Sequence, residues 1–198
     1  MKIIVCIKQV PNTTEIKIDP VTNTLKRDGV PSIINPDDKG GLEYALQLKE
    51  QYGAEVTVIT MGPPQAEAVL REAFAMGADR AILLTSRKFA GADTLATSNA
   101  LAGALRVLDY DLILAGRQAI DGDTAQVGPQ IAEHLGIAQV SYLEDLEFDG
   151  KKTFRIKKQL EDGYQIVEVE SPCLLTCLAS AVKPRYMSVK GIVEAWDK

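Results

Sequence analysis

The stretch AIDGDTAQVGPQIAEHLG, residues 119–136, places two aspartates among small and hydroxyl- or amide-bearing residues just ahead of a helical pattern. It follows the apolar run DLILAG at 111–116, so it occupies the strand-to-helix position where open α/β sheets hold phosphate groups. A helix beginning near Thr124 would leave the backbone N–H groups of Thr124, Ala125, Gln126 and Val127 unpaired, facing outward with the positive end of the helix dipole. Such amides can hold an anion without a lysine. The Thr124 hydroxyl and the Gln126 amide add neutral donors, while Gly122 and Gly128 keep side chains out of the approach. Asp121 and Asp123 would repel a phosphate directly, so they read as helix caps or as partners of ribose hydroxyls, with a Mg²⁺ site as the sharper alternative. A capped loop that binds nothing fits the same residues.

Two further turns could face the same ligand. In INPDDKGG (34–41), Asn35-Pro36 forces a turn and Asp37 or Asp38 starts the next helix. This is either a plain capped helix or a cover over the first strand's end that offers Asn35 and backbone groups to an adenine edge. TMGPP (60–64) puts a glycine-proline turn at another strand end.

Other chemistries lack their residues. There is no GxxxxGK[ST], and no GxGxxG follows the first apolar run, which disfavours P-loop NTPases and standard Rossmann dehydrogenases. His134, the single histidine, stands beside Gly136 at a helix end, where it favours the C-terminal dipole. Cys6, Cys173 and Cys177 lie inside strand-like runs without a CxxC and read as reduced core thiols, and no resident metal is expected.

The elements that must position these turns follow from the apolar pattern. KIIVCIKQV (2–10), AEVTVITMG (54–62), DRAILLTS (79–86) and DLILAG (111–116) are nearly continuous apolar runs, as in parallel strands buried on both faces. Helical patterns lie between them, one ending at Gly53, one at Gly77 and one led by Asp93. The expected fold is an α/β one, an open, mostly parallel, doubly wound sheet with ligands at the strand ends after Ile7, Ile59 and Leu114. Beyond Gly136, two strand-like runs around Asp162-Gly163 predict a hairpin and added antiparallel strands. Residues 11–34 form a long polar connection of the kind that is functional or packs on another chain. VKPRYMSVKGIVEAWDK, at the end, shows no clear period and reads as the root of something longer or a tail docking onto a partner.

With 46% hydrophobic and 25% charged residues among 198, the chain is an ordinary globular one, and a net charge of −5 disfavours nucleic acid as a partner. No run approaches a membrane span and no signal-type cleavage pattern follows the start, so a cytoplasmic location is expected.

Taken together, VCIKQVP, INPDD, MGPP, AMGADRA, GRQAIDGDTAQVGP and KPRYMSVKGIVEA resemble, in order and over nearly the whole chain, the β subunit of electron-transfer flavoproteins. The most specific segment is IKKQLEDGYQIVEVESPCLLTC, similar to the family signature of a basic residue, an acidic cluster and P-x-apolar-apolar-T. The resemblance implies a Rossmann-like, adenine-nucleotide-binding domain over 1–184, the start of a C-terminal arm or docking segment over 185–198, and a heterodimer with an α subunit carrying FAD. Cys6 would sit at the adenine edge, with Asn35, Pro36, Asp37 and Asp38 over the base and ribose and Met61 lining the same pocket. Ala119, Ile120, Asp121, Gly122, Asp123, Thr124, Ala125, Gln126, Val127, Gly128, Pro129 and Gln130 would wrap the ribose and phosphate.

The family has two versions, one holding structural AMP and one holding a second FAD. DGDTAQVG is similar to the FAD-holding, electron-bifurcating version, because small residues stand where the AMP version has bulkier and more acidic ones. That version implies NADH as hydride donor, ferredoxin or flavodoxin as low-potential acceptor, and an acyl-CoA dehydrogenase reached through the α-subunit FAD. The chain would be an electron-carrier subunit, oxidising NADH only within the heterodimer and using no side chain of its own as a catalytic group. Val189-Lys190 replaces the leucine-proline pair usual in dehydrogenase-docking members, and the chain stops short of the family's full C-terminal arm. An adenine-nucleotide sensor or hydrolase on the same sheet is the alternative from another class.

Overall fold

The computed structural model describes residues 1–12 and 32–196, so most of the polar connection expected at 11–34 lies outside the described residues. The elements are β1 (Lys2–Cys6), β2 (Gln9–Pro11), β3 (Ser32–Ile34), α1 (Pro36–Tyr52), β4 (Glu55–Met61), α2 (Glu67–Met76), β5 (Arg80–Leu84), α3 (Thr94–Leu105), β6 (Leu112–Gly116) and α4 (Val127–Leu135). There follow β7 (Ala138–Phe148), β8 (Thr153–Leu160), β9 (Gly163–Glu170), β10 (Cys173–Cys177) and α5 (Val189–Trp196). The order across the main sheet is β5-β4-β1-β6-β10-β7-β8-β9, and β2 pairs with β3 in a small ladder.

From β5 to β7 all pairings are parallel, and β7, β8 and β9 are antiparallel. The expected hairpin is present, closed by Leu160 opposite Gly163. CLLTC, however, does not extend the antiparallel end. It inserts as β10 between β6 and β7, parallel to both and fully buried, which its unbroken apolar sequence suits.

Side chains alternate between two apolar layers. Ile3, Val5 and Ile7 pack with α1 and α2, while Ile4 and Cys6 pack with α3 and α4. Helix ends follow local chemistry: Gly53 caps α1 in the left-handed region, and the Asp93 carboxylate accepts from Ala96 N at 2.8 Å to cap α3. Cys6, Cys173 and Cys177 are buried free thiols, the first two pushed up to about 12 by burial and therefore unreactive.

The chain leaves β1 toward β4 and β5 on one side, then returns to place β6 on the other side of β1. This reversal opens a crevice beyond the carboxyl ends of β1 and β6, the place where such sheets bind ligands.

The terminal segment differs from its sequence expectation. It carries a period, forming α5 along α2, where Gly191 lets the backbones meet at Ala75 O and Arg71 Nη1 donates to Ala195 O at 2.7 Å. Arg185 anchors its root, pairing with Glu43 at 2.9 Å and with Glu50 on α1. Val189, Ile192, Val193 and Trp196 form an outward stripe at helical spacing. Among the described residues no helix is long and apolar enough to cross a membrane.

Candidate functional site

The crevice is built from the ends of β1, β4 and β6 and from the loop joining β6 to α4. Cys6 and Ala115 are register partners on the α3/α4 side, and Met61, at the end of β4, belongs to the same apolar layer. Together they make a small apolar shelf of the kind a flat base requires.

The loop departs from the sequence expectation at its end. Helix α4 begins at Val127, three residues after Thr124, because Pro129 is tolerated only in a first turn, where its missing N–H removes no helical bond and its ring meets no preceding carbonyl. Asp123 and Ala125 adopt left-handed φ values of 49° and 53°. Such alternation turns successive amides toward one concave side, an anion-binding shape. Gly122 N and Asp123 N bond to Ala119 O, but the N–H groups of Thr124, Ala125, Gln126, Val127 and Gly128 have no hydrogen-bond partner among the described residues. Five unpaired amides thus stand where four were expected from sequence.

The aspartates of the loop do not cap α4. Asp121 Oδ1 accepts from Lys8 Nζ at 2.6 Å, across the crevice mouth, and Asp123 Oδ1 accepts from Gln118 Nε2 at 2.7 Å. The Asp121 charge is therefore compensated in place by the Lys8 ammonium. Gly128 keeps no approach clear either. Its Cβ would stand 2.6 Å from Thr176 Cγ2, so glycine there lets α4 lie close against β10. Gly122 is the open position, with nothing within 4 Å of an added Cβ.

Asn35, Asp37 and Asp38 are buried and hold the crevice together. Asn35 is the N-cap residue of α1, with Pro36 opening the helix, so neither aspartate is the starting residue. Asn35 Nδ2 donates to Gln118 O at 2.8 Å and its Oδ1 accepts from Ile120 N at 3.1 Å, fixing the root of the loop. Asp38 accepts from Lys8 N at 2.7 Å and Gly116 N at 2.9 Å, tying the ends of β1 and β6. Asp37 accepts from Ala179 N at 2.8 Å, just beyond β10, and Arg117 Nε lies 3.4 Å from its other oxygen. Burial pushes the Asp38 carboxyl up to about 7, against the hydrogen bonds from Asn35, Lys8 and Gly116.

The α4 side is braced by α3. Thr94 Oγ1 donates to Gln126 Oε1 at 2.8 Å, and Ser98 Oγ donates to Gln130 Oε1 at 3.0 Å, leaving both amide NH₂ groups as donors. His134 lies in the last turn of α4 with its ring near Ser98. The apolar shelf, the unpaired amides and the brace from α3 thus stand together at the ends of β1, β4 and β6.

Comparison with known proteins decides the family. Residues 22–198 match the model of the electron transfer flavoprotein domain. The whole chain is 64% identical to 76% of the electron transfer flavoprotein subunit beta of Clostridium acetobutylicum. It is likewise 58% identical to 76% of the caffeyl-CoA reductase-Etf complex subunit CarD of Acetobacterium woodii. For the acryloyl-CoA reductase electron transfer subunit gamma of Anaerotignum propionicum, the identity is 51%, covering the whole chain and 75% of the relative. The chain belongs to the electron transfer flavoprotein β-subunit family.

In this β subunit, sequence reasoning missed Lys8, Thr94 and Gln118, which position the loop from outside it. Lys8 carried a usable signal, since it follows Cys6 by two residues at a strand end. Thr94 carried none, because its partner lies 32 residues away. The left-handed Ala125 gives a first testable consequence. Alanine there carries strain of about 1 kcal/mol that glycine relieves, so Ala125→Gly should hold stability level or raise it despite glycine's greater chain entropy. Urea unfolding would check this, and a loss of more than about 1 kcal/mol would contradict the strain.

Proposed function

We propose that this electron transfer flavoprotein β subunit is of the FAD-holding, electron-bifurcating version, working as a heterodimer with an α subunit. The observation that carries the reading is the open space beside Gly122, which leaves room for a diphosphate to continue past the cradle rather than end as a monophosphate. The amides of residues 124–128 would hold phosphate oxygens, and Cys6 and Met61 would line the base. Asn35, Asp37 and Asp38 would act through the loop and strand ends that they fix, with Pro36 setting the turn. The chemistry supplied by the flavin when bound is hydride acceptance from NADH, with one electron going to ferredoxin or flavodoxin and one through the α-subunit FAD to an acyl-CoA dehydrogenase.

No side chain of this subunit is assigned a proton-transfer or nucleophilic role. Relatives named as subunits of caffeyl-CoA and acryloyl-CoA reductase systems support an acyl-CoA enzyme as the partner. Docking is assigned to the segment from residue 185 onward. Its exposed stripe of Val189, Ile192, Val193 and Trp196 has the spacing by which an amphipathic helix enters an apolar groove. The cytoplasm is the proposed compartment.

The experiment is the acid release and chromatography of nucleotide from the purified heterodimer. About two FAD per dimer are expected from one site in each subunit. FAD with AMP in equal amount would assign the AMP-holding version instead, and ATP turnover by the flavin-free chain would favour a hydrolase. Prompt anaerobic bleaching by NADH would complete the case for bifurcation.

A further inference from the structure

We infer that Lys8 is a phosphate ligand of the nucleotide site, its ammonium bridging the Asp121 carboxylate and a phosphate oxygen. The inference rests on the adenine-nucleotide reading above and adds a residue to it. Lys8 stands immediately beyond Ile7 at the reversal between β1 and β6, and its backbone is fixed on both sides. Its N–H donates to Asp38 Oδ2 at 2.7 Å and its carbonyl accepts from Asn35 N at 2.9 Å. The side chain therefore starts from a rigid point and reaches across the mouth to Asp121 at 2.6 Å.

An ammonium has three N–H donors, and Asp121 takes one of them. The Lys8 side chain is 49% exposed, and Asp121 is the single partner of its ammonium among the described residues. Arg117, a neighbouring cation, lies toward α1 and β7, with Nε 3.4 Å from Asp37 and its guanidinium over the Tyr142 ring. Among the described residues, Lys8 is the cation that reaches the loop from the β1 end.

The charge around the loop makes the same point. Asp121 and Asp123 both stand on it, and a diphosphate would bring more negative charge to the same place. The unpaired amides supply partial charges, whereas Lys8 supplies a full one. Stability alone does not explain the bridge, because an ion pair this exposed contributes little to folding. Asp121 is best understood as the group that keeps the flexible lysine aimed at the cradle.

The test uses the heterodimer stripped of nucleotide and titrated calorimetrically with adenosine, AMP and FAD. Lys8→Gln should weaken AMP and FAD by about tenfold or more while leaving adenosine within about twofold, since only the phosphate interaction is removed. Lys8→Arg should recover most of the affinity, and the parent's binding should weaken more steeply with salt than that of Lys8→Gln. Adding Asp121→Asn to Lys8→Gln should not restore phosphate binding.

Unchanged FAD and AMP affinity in Lys8→Gln would overturn the assignment, as would an equal loss for adenosine. Full restoration by Asp121→Asn would also overturn it, by showing that Lys8 only neutralises its neighbour. A parent heterodimer that binds neither AMP nor FAD would instead defeat the nucleotide reading itself. Circular dichroism melting of each variant separates these outcomes from misfolding.

Discussion

Gly116→Ala should destabilise the chain by about 4 kcal/mol, enough to lower its melting temperature by roughly 10 °C. Gly116 ends β6, and an added Cβ would fall inside the radius of Asp38 Oδ1 and 2.8 Å from both Asp37 Cβ and Asp38 N. The carboxylate cannot step aside cheaply, because it accepts from Lys8 N and Gly116 N at once. Moving it leaves buried amides unpaired, while keeping it drives α1 away from the sheet. Either response adds an overpacking cost to a lost hydrogen bond. Thermal unfolding at one fixed protomer concentration measures the effect, and a variant melting within about 2 °C of the parent would refute the account. Gly122→Ala is the control, since nothing lies within 4 Å of its added Cβ and its φ is not left-handed.

The same contacts explain what was legible in the sequence. Continuous apolar runs announced parallel strands, and Gly53, Gly77 and Asp93 marked helix ends, because each of these signals is local. The place of β10 was not local. A buried strand in the middle of a sheet and one at its antiparallel end share an apolar composition, and only pairing partners far along the chain distinguish them. Helix α5 was hidden by its shortness and by Gly191, which lowers helix propensity yet permits the close approach to α2.

At the site, the loop, the shelf residues and the turn at Asn35 were all legible, and the structure brings them to one crevice. Individual roles were less so. Aspartates before a helix suggested caps, but the folded chain presents Lys8 and Gln118 to them instead. Pro129 was the signal that should have moved the helix start to Val127. Asp37 or Asp38 read as a helix start, and the resemblance set both over the base and ribose; their carboxylates accept from the amides of three strand ends, a partnership no local signal carries.

Gly122→Glu should weaken FAD about a hundredfold or more and AMP distinctly less. Glycine at this position faces open space in the free chain, so the substitution meets no steric obstacle to folding and its effect is confined to what approaches the loop. A carboxylate about 5 Å from a phosphate group, at an effective dielectric of about 20, repels it by about 3 kcal/mol per unit charge. That corresponds to more than a hundredfold in affinity. Lys8 does not cancel the added charge, because on the inference above its one positive charge is already shared between Asp121 and the phosphate. A terminal monophosphate can stop at the cradle amides, whereas a diphosphate running on toward a flavin ring must pass the new side chain. Titration of the stripped heterodimer with FAD and AMP gives the ratio directly. Equal losses for the two nucleotides would show that the space beside Gly122 does not select the cofactor, and the FAD-holding assignment would lose its main structural support.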